Sequence, residues 1–493
     1  MVYAISVLGS GSDVGKSLIA TGLCRLLANL GLNVAPFKAQ NMANQAGVTT
    51  EGLEIPRAQI LQAIACRITP HVDMGPIILK PTSPMGSQII VLGKSTGQKS
   101  AMDYFKDTGN LSAIALAALD RLKRIHDVIV IEGAGSPVEL NLWSRDYVNL
   151  RPARHLNAAL ILVVDIHKGG VFAQTKGTLD LLPPSDRKRV IGVIVNRFNG
   201  DIRLFKDGIS LLEKTCNTNV LAVIPHFEHG LDEEDKPIQI PINQVPESGK
   251  LHVGAILSQR VSNTEDLAPL LSEPDVQLTW LTDPSLVLSQ DLLVLPGSKA
   301  TIGDLVNHTT SGMTEAILQA ESKNAWILGI CGGYQMLGKS LLDKAGSEGG
   351  IRTWPGLNLL PIKTTFHTEK VVTRNTVTST WPESNHELIG YEIHSGRTKL
   401  LKLDGEPIAQ NKGAEFGWRC NKVCGTYLHG VLGCDSWRNS FLNTIRQDHH
   451  LPLQPICTST PIETRIDRWA HHIKMNLQPG AWEKIIAAIE NKW

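Results

Sequence analysis

Cysteine, net charge and long apolar runs are all scarce in this sequence, and each shortage excludes something. Eight cysteines are scattered over 493 residues: Cys24, Cys66, Cys216, Cys331, Cys420, Cys424, Cys434 and Cys457. That is too sparse for a disulfide framework and points to a reducing compartment. Basic and acidic residues nearly cancel, leaving a net charge of +1. A general nucleic-acid binder carries a basic face, so this balance argues against one. No stretch reaches the roughly 18 apolar residues of a transmembrane helix. No basic segment followed by an apolar one precedes the first strand, so no secretory leader is expected. Internal repeats and low-complexity tracts are also missing. The expectation is a cytoplasmic protein with no membrane and no nucleic-acid partner.

What is present is a chain with an ample core, 42% hydrophobic, and long enough for two or more domains. In the first half, Tyr3–Leu8, Val34–Lys38, Asp127–Ile131, Ala159–Asp165, Val190–Val195 and Val220–Ile224 read as strands. They are continuously apolar rather than alternating, as in a parallel sheet covered on both faces. A helix from Lys16 to Leu30 follows the first strand, with Gly31 as its stop. This half is a doubly wound α/β domain. The charged, proline-bearing segment Glu228–Lys250 reads as a linker. The α/β pattern then restarts with LHVGAILS, a helix around Asp266–Leu271, VQLTWL and DLLVLPGSKAT. The expected division is a first domain over 1–228, a linker over 229–249, a second α/β domain over 250–440 and a helical tail over 441–493.

GSGSDVGKS, Gly9–Ser17, joins the first strand to the first helix. Glycines let backbone N–H groups turn toward phosphate oxygens, and the helix N-terminus adds its positive end. Lys16 adds a point charge and Ser17 is a candidate Mg²⁺ ligand. The common spacing is G-x-x-x-x-G-K-[ST]. Here Ser10 takes the first position, Gly9 and Gly11 flank it, and Asp13 and Gly15 complete the loop. This variant resembles the loop of the dethiobiotin synthetase group of P-loop enzymes and implies ATP binding. VIVIEGAGSP brings Glu132 to the carboxyl end of a buried strand, where α/β sheets bind ligands. A carboxylate there can bind Mg²⁺, directly or through water; otherwise it caps the next turn. VIGVIVNRF brings Asn196 to a later strand end. In dethiobiotin-synthetase-like enzymes the matching asparagine reads the adenine ring; otherwise an asparagine here simply forms a turn.

The second half carries a different chemistry. Gly329-Ile330-Cys331-Gly332-Gly333 has the G-x-nucleophile-x-G spacing of a nucleophile elbow. The thiol of Cys331 then stands at a helix N-terminus, whose dipole favours an anion. Attack on an amide needs donors for the developing oxyanion, and the backbone N–H groups of Gly332 and Gly297 are candidates. His429, in TYLHG, is the candidate base. Other groupings are weaker. Cys420, Cys424 and Cys434 fit no common zinc spacing. The pairs His449-His450 and His471-His472 are neighbours that do not share a helix face. The last helix, AWEKIIAAIENKW, has mixed charge and suits packing on the protein better than a membrane surface.

LPGSKAT, GICGGYQMLG and TYLHG together resemble a class I glutamine amidotransferase domain. With a phosphate-loop domain in front, and with PFKAQNMANQAGVT, EIPRAQ, ILKPTSPMGSQIIVLG, DIHKGGVFA, VNRFNGD and GYEIHSG in order, nearly the whole chain resembles the cobyric acid synthases. The resemblance implies a dethiobiotin-synthetase-like P-loop domain fused to a class I amidotransferase domain. It implies ATP and Mg²⁺ as cofactors, and glutamine and a corrinoid as substrates. The reaction implied is amidation of the b, d, e and g carboxylates of adenosylcobyrinic acid a,c-diamide, and oligomeric assembly is left open. The nearest alternative is cobyrinic acid a,c-diamide synthase, which typically carries an aspartate-rich stretch where this chain has QNMANQAG. A partition-type ATPase would leave Cys331 and His429 unexplained. Most class I amidotransferases place a glutamate two residues after the histidine to orient it. Here that residue is Val431, so the orienting group stays open. Pro56 stands where many members have glycine, and Gly75 where many have asparagine.

Overall fold

The computed structural model describes residues 3–42, 44–83, 86–231, 238–344, 346, 348 and 353–490. Six strands of the first half form one parallel sheet in the order Val220–Pro225, Val190–Phe198, Ala159–Asp165, Tyr3–Gly9, Val128–Glu132, Val34–Phe37. Their burial is nearly complete along each strand, because helices cover both faces. The register sets Val7 opposite Glu132 and Gly9 opposite Val163, so the phosphate loop and Glu132 emerge side by side at the carboxyl edge. The second domain repeats the plan. Five parallel strands run in the order Val276–Leu281, Leu251–Ile256, Leu292–Leu295, Trp326–Ile330, Val423–Thr426, with two short antiparallel strands at one edge.

Two β features depart from the simple α/β alternation. Between Phe37 and Val128 the first domain inserts a small sheet, Asn41–Met42, Ile77–Ser83, Gly86–Val91 and Lys94–Ser100, and a short hairpin, Ala46–Val48 with Glu54–Pro56. In the second domain, Ile362–Ser379 and Glu387–Leu400 form a long antiparallel hairpin. The helix expected around Asp266–Leu271 is instead a 3₁₀ segment, Thr264–Ser272. Pro269 lies inside it and lacks the N–H that an α-helix would use there.

The linker and the tail both fold back onto domains. From Ile238 on, the linker runs along the outer strand of the second sheet: the Trp280 ring N–H donates to the Ile238 carbonyl at 3.1 Å, and the Thr279 hydroxyl to Pro241 at 3.0 Å. The tail divides. Asp435–Asp448 packs Trp437, Phe441, Leu442 and Ile445 into the second-domain core. Its fully buried Arg438 and Arg446 share Glu273, at 2.9 and 3.2 Å. Ile462–Met475 and Ala481–Ile489 return to the first domain, where the Trp469 ring N–H donates to Leu18 of the phosphate-loop helix at 2.7 Å. Arg25 of that helix is buried beneath Glu463 and Asp467. Among the described residues, no helix is long and apolar enough to cross a membrane.

Candidate active sites

The phosphate loop encircles the amine of Lys16. Its Nζ donates to the Gly11 carbonyl at 2.8 Å and to Gly135 at 3.1 Å. Gly15 has φ +93°, and a Cβ there would stand 2.1 Å from the amide nitrogen of Asn196. That nitrogen donates to the Val14 carbonyl at 2.9 Å, so Asn196 braces the loop from beneath. Asp13, in the left-handed region at φ 57°, is met by Arg197 at 3.2 Å and Lys168 at 3.7 Å. The Ser17 hydroxyl donates to Glu132 Oε1 at 2.7 Å. Two residues not singled out by the sequence complete this centre. Lys38, at the end of the second strand, donates to Glu132 Oε1 at 2.9 Å, and Gln62 donates to Oε2 at 2.6 Å. Burial pushes the Glu132 carboxyl up. The Lys38 charge and the bonds from Lys38, Ser17 and Gln62 outweigh this and hold it below its ordinary value. Above the loop opens a cleft of about 790 Å³, lined among others by Lys16, Lys38, Tyr104 and Arg145, and by Gln259 and Val261 of the second domain.

The second site is buried rather than open. Cys331 has φ 52° and ψ −102°, a conformation that costs a non-glycine residue strain. The following helix fits only because Gly333 lacks a side chain: a Cβ there would stand 1.8 Å from the Leu295 carbonyl oxygen. Cys331 is 7% exposed, and its Sγ donates to the Ile393 carbonyl at 3.7 Å. His429, 1% exposed, lies beside Cys331, and its Nδ1 is hydrogen-bonded to Asp266 Oδ2 at 2.7 Å. The second Asp266 oxygen accepts from the Gly430 amide at 2.7 Å, which fixes the carboxylate. Burial lowers the His429 proton affinity. The charges of Asp266 and Cys331 outweigh it and raise the imidazole to about 10. Tyr391 stacks on the imidazole, ring centres 5.1 Å apart. Of the two candidate oxyanion donors, Gly332 is the first residue of the helix after the cysteine, where an amide has no intrahelical partner. Gly297 lies against the imidazole: a Cβ on it would stand 3.4 Å from His429 Cε1.

Comparisons with known proteins match the two halves of the chain to two family models. Residues 5–238 match the CobQ/CobB/MinD/ParA nucleotide binding domain, and 252–437 the CobB/CobQ-like glutamine amidotransferase domain. Proteins named cobyric acid synthase are similar across almost the whole chain. That of Chlorobium phaeobacteroides is 44% identical, covering 90% of each chain. That of Chlorobaculum tepidum is 43% identical, covering 91% of this chain and 92% of the relative. That of Trichodesmium erythraeum is 40% identical, covering 94% and 95%.

This chain belongs to the cobyric acid synthase family. Membership makes it an amide-forming ligase of cobalamin biosynthesis, with a nucleotide-binding domain and a glutamine amidotransferase domain in one chain. The family's motifs acquire places. GYEIHSG runs over the cysteine, supplying both Tyr391 and the Ile393 carbonyl. EIPRAQ leads into the helix Arg57–Ala65 that carries Gln62 to Glu132. The group that orients His429 is Asp266, and Val431 is buried in the apolar core. No spacing rule reaches Asp266, because it lies 163 residues before His429. Lys38 was more accessible to sequence reasoning, since a lysine ends a buried strand at the ligand edge.

Proposed function

We propose that this protein uses ATP and glutamine to amidate the b, d, e and g carboxylates of adenosylcobyrinic acid a,c-diamide, giving adenosylcobyric acid. The observation that carries this reading is the pairing, in one chain, of a phosphate-loop cleft with a Cys331–His429–Asp266 site. Cys331 attacks the glutamine carboxamide, and the amides of Gly332 and Gly297 face the developing oxyanion. His429 delivers a proton to the departing nitrogen, and Asp266 holds the ring and supports its charge. Water then cleaves the thioester and releases glutamate.

In the cleft, the loop from Gly9 to Ser17, with Gly11, Asp13, Gly15 and Lys16, cradles the ATP phosphates, and Asn196 serves by holding that loop through the Val14 carbonyl rather than by reading the adenine. Ser17 and Glu132, 2.7 Å apart, are a hydroxyl and an ionised carboxylate, the hard oxygen donors that suit Mg²⁺. Bound there, Mg²⁺ would offset phosphate charge. Lys16 and Lys38 supply positive charge to the phosphoryl group as it passes to a corrinoid carboxylate. Ammonia displaces phosphate from that acyl phosphate and forms the amide.

The test is product analysis by mass spectrometry and NMR after separate incubations with adenosylcobyrinic acid a,c-diamide and with cobyrinic acid, each with ATP, Mg²⁺ and glutamine. New amides at b, d, e and g are expected. Amides placed only at a and c of cobyrinic acid would overturn this reading and favour the a,c-diamide synthase activity.

A further inference from the structure

Gln40 lines the nucleotide cleft two residues after Lys38. The register that sets Phe37 opposite Ile131 brings this stretch of chain to the Glu132 end of the sheet, where Lys38 bonds to the carboxylate. Gln40 is 9% exposed, and its amide is held from one side. Tyr104 and Tyr147 both donate their hydroxyls to its Oε1. The two hydroxyls are 3.3 Å apart. Burial raises both phenols above their ordinary range, so each keeps the proton that it donates. Two O–H groups occupy both lone pairs of an amide oxygen. Among the described residues, the Gln40 Nε2 makes no hydrogen bond, and its N–H groups are the polar edge left for the cleft.

The phenols that hold this amide are themselves fixed. Tyr147 is 2% exposed and lies in a turn tied to the strand that carries Glu132. In that turn Asp146 Oδ1 accepts from the amides of Val148 and Asn149 at 2.8 and 3.2 Å. The Asn149 side chain bonds to both the amide and the carbonyl of Ala134, at 3.0 and 2.9 Å, two residues after Glu132. Tyr104 comes from a separate short helix, Ala101–Lys106, whose first turn is capped by Ser100. Two distant segments thus converge to set the direction of one amide group. What faces the cleft is a hydrogen-bond donor with no acceptor beside it, near Lys16 and Lys38. A donor of this kind suits an acceptor-only ligand. An ionised carboxylate is such a ligand, and its bond to an N–H is charge-assisted, stronger than that of a neutral amide oxygen.

We propose that Gln40 receives the corrinoid carboxylate that is about to be activated, and that Tyr104 and Tyr147 aim it. This rests on the function proposed above. One oxygen of the carboxylate takes the phosphoryl group: a P–O bond forms to it as the P–O bond to the departing ADP breaks. The other oxygen stays on the Gln40 N–H. When ammonia adds to the acyl carbon, that oxygen takes the negative charge, and the same N–H stabilises it. The C–O bond to phosphate then breaks, phosphate leaves with the electron pair, and the surplus proton on nitrogen passes to solvent. The amide that remains holds Gln40 only by a neutral bond, which favours its exchange for the next carboxylate.

The test is steady-state kinetics of the full-length enzyme with adenosylcobyrinic acid a,c-diamide as the varied substrate. Gln40→Met fills about the same space without a donor. Gln40→Glu keeps an oxygen for the two phenols but turns a second, charged acceptor to the cleft. The corrinoid KM should rise about tenfold in Gln40→Met and about a hundredfold in Gln40→Glu, with the KM for ATP within about twofold of wild type. A residue that merely braced the two phenols would give the opposite order, because glutamate still accepts from both and methionine does not. A milder defect in Gln40→Glu than in Gln40→Met therefore overturns the proposal. So does a corrinoid KM that stays within about twofold in both variants, or a KM for ATP that rises as much. If Gln40→Met does not fold, Gln40→Glu decides by the same KM criteria. If neither folds, Gln40 is a structural brace and the proposal falls. A wild type that forms no amide on this corrinoid would instead refute the function on which the proposal rests.

Discussion

The two sites in this chain are built on opposite principles. The phosphate site is local: nine consecutive residues form the loop, and the strand that carries Glu132 lies directly beside it in the sheet. It opens into a cleft of about 790 Å³. The cysteine site is closed, and its parts come from residues 266, 297, 331, 393 and 429. The difference follows from the chemistry. Phosphates are large and highly charged, and a run of backbone amides at one helix end suffices to hold them. A thiol nucleophile needs a base, an orienting carboxylate and oxyanion donors converging on one carbon from several directions. No single segment of chain supplies that convergence.

The sharpest way to break this comparison is to remove one centre at a time. Cys331→Ala should lower glutamine-dependent amidation by about four orders of magnitude or more, while ammonium at mildly alkaline pH restores much of the rate. Lys16→Ala should abolish amidation with either nitrogen source. Steady-state assays with both donors check the pair. Rescue of Lys16→Ala by ammonium, or normal glutamine use by Cys331→Ala, would erase the division between the sites.

A smaller effect is expected at the orienting carboxylate. Asp266→Asn keeps the shape of the side chain but no longer supports the imidazolium, and glutamine hydrolysis should fall about 10²- to 10⁴-fold. Ammonium-dependent amidation should be spared. The same variant has a signature in stability. His429 is raised in the folded state from 6.5 to about 10. Its proton therefore contributes stability that is complete below the unfolded value and is lost as pH rises through about 10. Urea denaturation should show the largest gap between wild type and Asp266→Asn near pH 6, narrowing toward pH 10.5. A gap of constant size would show that Asp266 does not hold the His429 proton.

The smallest effect concerns Pro56 and Gly75, two neighbours beside the helix that carries Gln62. The two are in contact. A Cβ on Gly75 would stand 2.8 Å from Pro56 Cδ and 2.9 Å from Cγ. Gly75→Asn alone should therefore cost about 1–3 kcal/mol by overpacking against the proline ring. Pro56→Gly in the same chain should recover most of that loss. Thermal melting of the single and double variants decides it, and strictly additive effects would refute the coupling.

Legibility followed the same line as the comparison. The six strands of the first sheet stood out as short, continuously apolar runs, and the observed elements fall within a few residues of them. The loop Gly9–Ser17, Glu132, Cys331 and His429 could all be picked out because glycine spacing or a strand end marks each one. The inserted sheet between Phe37 and Val128 was not visible. Its strand Lys94–Ser100 is polar and Gly86–Val91 buries only Ile89 and Ile90, so no long apolar run announces them. The long hairpin escaped for a similar reason: IKTTFHTEKVVTRNTVTS mixes exposed and buried positions without a clean period. Asp266 was hidden within an apparent helix that Pro269 converts to a 3₁₀ turn.

The sequence by itself determined where each chemistry resides, because a phosphate loop and a nucleophile elbow are short-range backbone geometries that only a few residue orders permit. Tertiary structure alone decided how those chemistries are completed. It brought Asp266 across 163 residues to His429 and set Lys38 and Gln62 on Glu132. It also pressed Glu54 and Lys80 of one domain against Lys370 of the other. The physical reason is that orienting a base, ionising a buried carboxylate and sealing a domain interface all depend on distances of about 3 Å between groups far apart in the chain. Such distances are set by how the sheets, hairpins and returning tail pack together, and no local pattern of residues encodes them.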